Sequence, residues 1–141
     1  MTDEPRPLMT ARGPDPFPVP LRLRVLVVDD NRDAADTLAQ LLTVCGAEAE
    51  VRYDGRTALE AVGAFAPDAC ILDLTMPGMG GCELAERIKN LGPPPLMVAL
   101  TALGDDNARE RTSLSGFDLH LVKPVDPAKL LNLLGKHAAT R

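Results

Sequence analysis

The sequence predicts a doubly wound α/β sandwich, a five-stranded parallel sheet with five helices divided between its faces. Three observations lead there. Unbroken apolar runs alternate with stretches of helical period, five times over. The runs are too apolar for strands with one wet face, so they read as strands buried on both sides, which is the mark of parallel sheets. The 141 residues, 45% of them hydrophobic, suit one such domain and can bury a single core.

Residues 1–20 hold six prolines, end in "PDPFPVP" and show no apolar period, so they read as a disordered or extended arm, and the domain is placed at 21–138. "LRVLVV" (23–28) is the first strand. Ala34, Ala35, Leu38, Leu41, Leu42 and Cys45 then recur at three- and four-residue steps, and Gly46 closes that helix. "AEAEVRY" (47–53) is the second strand, and "GRTALEAVGAF" (55–65) the second helix, ending before Pro67. "ACILDL" (69–74) is the third strand. "CELAERIKN" (82–90) is a helix stopped by Gly92 and three prolines. "LMVALTA" (96–102) makes the fourth strand, "DNARERTSLS" (106–115) a weakly amphipathic helix, and "LHLV" (119–122) the fifth strand. Asp126 as N-cap and Pro127 in the first turn open a last helix through "AKLLNLLGKHA", leaving 139–141 as a tail.

Composition narrows the function. Fifteen basic residues against twenty acidic ones give a net charge of −5, and only four aromatics are present. A nucleic-acid surface would want a basic face and stacking platforms, so none is expected. No apolar run is long enough to span a bilayer, and the N-terminus has neither a basic start nor an apolar signal core. The expected compartment is the cytoplasm, without membrane contact. Cys45, Cys70 and Cys82 are odd in number, lack a CxxC spacing and sit in apolar or helical contexts, so they read as reduced, structural residues.

In an open parallel sheet, ligands bind beyond the carboxyl ends of the strands. The first strand ends there in Asp29 and Asp30, the third in Asp73, the fourth in Thr101 and Ala102, and the fifth in Lys123 and Pro124. Each alone has an ordinary meaning: an Asp pair after a strand is most often a helix cap with a solvated neighbour, and Asn31 could share that role. Their joint placement at one edge, in complementary charge types, points to chemistry. Three gathered carboxylates raise one another's pKa unless a cation sits among them. Oxygen-only ligands suit a hard cation, and Mg²⁺, which keeps several waters, fits best. Lys123 adds a positive charge and Thr101 a donor for an incoming anion, so a carboxylate among them can act as a nucleophile toward a phosphoryl group.

"VLVVDDN", "ILDLTMPGMGG", "ALTA" and "GFDLHLVKPVD" stand in the order and spacing of a known family. Over about residues 22–138 the chain resembles the receiver domains of two-component response regulators. The resemblance implies a flavodoxin-like strand order of 2-1-3-4-5 and makes Asp73 the aspartate phosphorylated by a partner histidine kinase or phosphotransfer protein. It implies Asp30 and Asp73 as direct Mg²⁺ ligands, Asp29 as a ligand through water, and Thr75 as donor of a backbone carbonyl. Thr101 then resembles the switch hydroxyl, Lys123 the motif's lysine, and the Lys123–Pro124 bond is expected to be cis.

Three positions depart from the family pattern. His120 stands where a switch Tyr or Phe is usual, so it reads either as a weaker, pH-sensitive switch or as a surface strand residue with no switching role. Gly80 replaces a frequent acidic residue, so the glycine-rich "PGMGG" reads either as a mobile loop or as a plain tight turn. Leu103 is apolar where a residue can help orient water. The few residues after 138 leave no room for an output domain, so the expected output is binding of a downstream protein or a phosphorelay, from a stand-alone receiver or the receiver module of a hybrid kinase. An aspartyl-phosphate phosphatase is the alternative of another class. Such enzymes place two acids two residues apart on the first strand, whereas here they are adjacent. A pseudo-receiver would lose an acidic or lysine position, and none is lost.

Overall fold

In a computed structural model, residues 21–102 and 116–139 are described. The elements are β1 (Arg24–Val28), α1 (Arg32–Val44), β2 (Glu48–Arg52), α2 (Gly55–Phe65), β3 (Ala69–Asp73), α3 (Gly81–Lys89), β4 (Leu96–Thr101), β5 (Leu119–Val122) and α4 (Pro127–Ala139). All strand pairs are parallel, in the order β2-β1-β3-β4-β5. The helix expected at 106–115, Leu103 and the arm at 1–20 lie outside the described residues.

Strand alternation sorts the core into two layers. Val25, Val27, Ile71, Val98, Leu100 and Leu121 face one way and pack with Ala35 and Leu42 of α1 and Leu130, Leu131 and Leu134 of α4. Leu26, Val28, Cys70, Leu72 and Met97 face the other way, against Ala58 and Ala61 of α2 and Leu84, Ala85 and Ile88 of α3. Every residue of β3 is buried, as a middle strand covered on both faces must be. The three cysteines are free thiols. Burial pushes the Cys70 thiol up to about 12, which fits a structural role.

Helix starts are fixed by side chains at the ends of the preceding loops. Asn31 accepts from Ala34 N at the head of α1, and Asp54 from Thr57 N at the head of α2. Asp126 accepts from Ala128 N before α4. At the opposite edge, Asp68 and Asp118 each take an amide at the start of the neighbouring strand: Arg24 N donates to Asp68 Oδ2 and Met97 N, second in β4, to Asp118 Oδ2, both at 2.8 Å. At the carboxyl edge β3 runs one residue and β4 and β5 two residues beyond the end of β1.

Candidate functional site

The alternation that builds the core also aims the polar residues just past it. Asp29 continues the parity of Val25 and Val27, Asp73 that of Ala69 and Ile71, and Lys123 that of Leu119 and Leu121, so all three stand on the α1 and α4 side of the sheet. They meet: Lys123 Nζ lies 3.1 Å from Asp29 Oδ2 and 3.4 Å from Asp73 Oδ1. Asp29 and Asp73 are only 2% and 3% exposed, whereas Asp30 is open to solvent. One carboxylate oxygen from each of Asp29, Asp30 and Asp73 lies within 4.8 Å of the others.

The two buried carboxylates are held by backbone as well as by charge. Asn31 N donates to Asp29 Oδ1 at 3.0 Å, and Thr75 N and Oγ1 donate to Asp73 Oδ1 at 3.2 and 3.3 Å. The cap at α1 is therefore Asn31, which frees the Asp pair from that task. Thr101 is buried at 1% exposure, and its hydroxyl shares a 3.0 Å hydrogen bond with His120 Nε2. These two have the opposite strand parity, so they sit on the other side of the sheet from Lys123, behind the carboxylates. The Lys123–Pro124 bond is cis. All the residues expected at the site, Asp29, Asp30, Asp73, Thr75, Thr101, His120 and Lys123, gather at this one edge. An apolar groove of about 700 Å³ opens beside them, lined by Leu38 and Leu41 of α1, Leu100, Val125 and Pro127.

The electrostatics are unbalanced. Burial, then the charge of Asp73, pushes the Asp29 carboxyl above its ordinary range, against the opposing pull of Asn31 N and Lys123. Burial pulls the Lys123 ammonium down, but the hydrogen bond to Asp29 and the charges of Asp73 and Asp29 outweigh it, so its pKa rises. One ammonium faces three carboxylates, leaving two negative charges when all are ionised. An all-oxygen donor set with that surplus fits a hard divalent cation with retained waters.

Sequence reasoning missed the residues that brace this edge. A Cβ on Gly81 would come 2.6 Å from the Asp73 carbonyl oxygen and 2.9 Å from Leu74 Cα, so only glycine lets α3 begin against the end of β3. At "PGMGG" the chain bends, with Gly78 at φ +76°, and Gly80 and Gly81 lie against the backbone of Asp73 and Leu74. A run of glycines directly before a helix was the available signal.

A family profile for the response regulator receiver domain matches residues 25–135. This chain belongs to the response regulator receiver family. The receiver is 37% identical over 110 residues to a response regulator receiver protein of Anaeromyxobacter sp. (strain Fw109-5), covering 78% of this chain and 46% of that one. It is 34% identical over 109 residues to the response regulator MprA of Mycolicibacterium vanbaalenii, covering 77% of this chain and 47% of MprA. The receiver thus spans about half the length of these curated relatives. Among solved structures it resembles a CheY-like receiver domain protein from Methanospirillum hungatei, with TM-score 0.78, 25% identity and coverage of 84% and 95% of the two chains. A Francisella response regulator receiver domain gives 0.73 and 26%, with coverage of 82% and 98%. No helix among the described residues is long and apolar enough to cross a membrane.

Proposed function

We propose that this receiver is a phosphorylation-controlled switch in which Asp73 accepts a phosphoryl group from a histidine kinase or phosphotransfer protein. The observation that carries this reading is Lys123 Nζ placed between two buried carboxylates, 3.1 Å from Asp29 and 3.4 Å from Asp73, with Asp30 open to solvent beside them. Asp29, Asp30 and Asp73, with the Thr75 carbonyl, are the groups that would hold Mg²⁺. When bound, the ion supplies positive charge against the negative charge that builds on the transferring phosphoryl oxygens.

The chain's own groups do the rest. Thr75 N and Oγ1 fix the Asp73 carboxylate by two hydrogen bonds to Oδ1, leaving little rotation to lose at attack. An Asp73 oxygen forms a bond to phosphorus as the bond from phosphorus to the donor imidazole nitrogen breaks. The imidazole leaves with the electron pair and is reprotonated by solvent. Lys123 then trades part of its contact with Asp73 for a phosphoryl oxygen, a charge-assisted hydrogen bond. Thr101 turns its hydroxyl toward the same group, giving up the bond to His120, and the altered contact of His120 carries the change to the β5 surface. Output is a changed protein-binding face or onward relay, in the cytoplasm, with no direct nucleic-acid or membrane contact. The net charge of −5 supports a protein partner.

The test is phosphorylation itself. With Mg²⁺ and a small acyl phosphate, the protein should gain one phosphoryl group by mass, labile to base and hydroxylamine, and chelation should abolish the gain. Asp73→Asn should gain none, because an amide is no nucleophile toward phosphorus. Labelling of that variant at the parental rate removes Asp73 from the role.

A further inference from the structure

The loop from Leu74 to Gly80 carries Thr75, whose amide and hydroxyl fix Asp73. Its far end is seated on the start of α2. A Cβ built on Gly55, the first residue of α2, would fall 2.8 Å from Met79 Sδ, 2.9 Å from its Cβ and 3.1 Å from its Cγ. Met79 therefore lies directly on the Gly55 backbone. Gly55 is buried under it, and Met79 also packs against the apolar layer beneath α2 and α3. Gly81, one step after the loop, is pressed against Asp73 and Leu74 in the same manner. The loop's C-terminal part is thus held by two glycines that leave no room for a methyl group, Gly55 under Met79 and Gly81 against Asp73 and Leu74.

We infer that Gly55 and Met79 form a lock that positions the phosphoacceptor loop, making both positioning residues for phosphorylation at Asp73. This rests on the reading of Asp73 as the acceptor. The physical reason is reach. Gly81 holds the loop only at its end, whereas Met79 fixes the height of the loop over α2 and so the register of Thr75 on Asp73. The Met79 sulfur can swing aside, but its Cβ, 2.9 Å from a methyl on Gly55, is fixed to the backbone and cannot move without it. A displacement of a few tenths of an ångström there changes the two hydrogen bonds that hold the carboxylate, and small misplacements of a reacting group cost rate steeply.

The lock predicts reciprocal complementation. Gly55→Ala thrusts a methyl into Met79 and lifts the loop; Met79→Ala empties the seat and lets it drop. Each should slow phosphorylation by a small acyl phosphate by roughly tenfold. In the double variant Gly55→Ala/Met79→Gly, which also removes the Met79 Cβ that would otherwise lie 2.9 Å from the new methyl, the methyl has room, so its rate should exceed that of either single variant. Stability should not follow, since the double variant lacks the buried thioether and cannot outlast the parent by that route. The amide resonance of Thr75 in metal-free protein provides a second reading, displaced in each single variant and returned toward the parent in the double. Should Gly55→Ala fail to fold, Met79→Leu, which keeps the volume, should restore what Met79→Ala loses in both rate and resonance. Rates that merely track melting temperature, or a double variant slower than both singles, would overturn the lock. If the parent itself takes no phosphoryl group, the acceptor reading fails, while the metal-free Thr75 resonance still judges the lock.

Discussion

At the scale of single residues, Lys123 has the most to balance. Its ammonium serves two buried carboxylates at once, while a third of its own side chain remains exposed. Removing it strands Asp29 and Asp73 without a cation, and that loss outweighs any gain in chain entropy. Lys123→Ala should still fold, because the core layers do not depend on it, but at neutral pH with chelator it should lose roughly 1–2 kcal/mol by urea melts, a fully buried pair's cost discounted for solvent. The sign with pH follows from the raised pKa. A cation whose folded pKa lies above its ordinary 10.5 stabilises fully below that value and loses the contribution as pH rises through the folded pKa. The gap between parent and variant should therefore narrow above pH 10.5. A constant gap across that range would mean that lost packing, and not charge, explains the variant.

At the scale of elements, helix starts are set by local capping, and α2 shows it best. Asp54 accepts from both the amide and the hydroxyl of Thr57, at 2.8 Å each, and the backbone bond foremost holds its carboxyl below the ordinary value of 3.8. A depressed pKa means stability present above 3.8 and lost as pH falls through the folded value. Asp54→Ala should lower the melting temperature at pH 7, and the deficit should shrink in strong acid; a deficit independent of pH would deny the carboxylate that part. Such caps are short-range, and so the elements were legible in the sequence. The strands expected from the sequence match the five observed to within about one residue at each end. In β1, β3 and β4 burial on both faces imprints an unbroken apolar stretch, whereas β2, with Glu48 and Glu50, is only half-buried. Ala102 and Leu74 fell outside because strand ends are set by hydrogen bonding to neighbours, which hydropathy does not record. Asn31 against Asp29 as the cap of α1 stayed open for a like reason: both side chains suit the role, and only the register of the turn decides.

At the scale of the whole molecule, the site is a consequence of topology. Residues 29 and 123 are 94 positions apart, yet they touch because parallel strands bring their carboxyl ends to one edge. That convergence was readable, since the carboxyl-end rule needs only strand ends and residue types. What was not readable is the bracing behind it, Gly81 on Asp73 and Met79 on Gly55, because steric close approach leaves no pattern in a single sequence beyond the presence of glycine. The fold also carries a cost that the ion would lift. Three carboxylates held within 4.8 Å, two of them buried and met by one ammonium, oppose the folded state more than the unfolded chain, where they are apart. A cation that binds only the folded arrangement relieves this and stabilises according to its concentration over its dissociation constant, by about 2.7 kcal/mol at a hundredfold excess over Kd. Melting temperature should thus rise steadily with Mg²⁺ on a logarithmic concentration scale, and far less with an equal ionic strength of NaCl, which only screens. Asp30→Asn removes the most solvent-open of the three ligands without disturbing the core. It should raise the stability of the metal-free protein slightly and flatten the Mg²⁺ response. An unchanged response in that variant would place the ion elsewhere on the molecule.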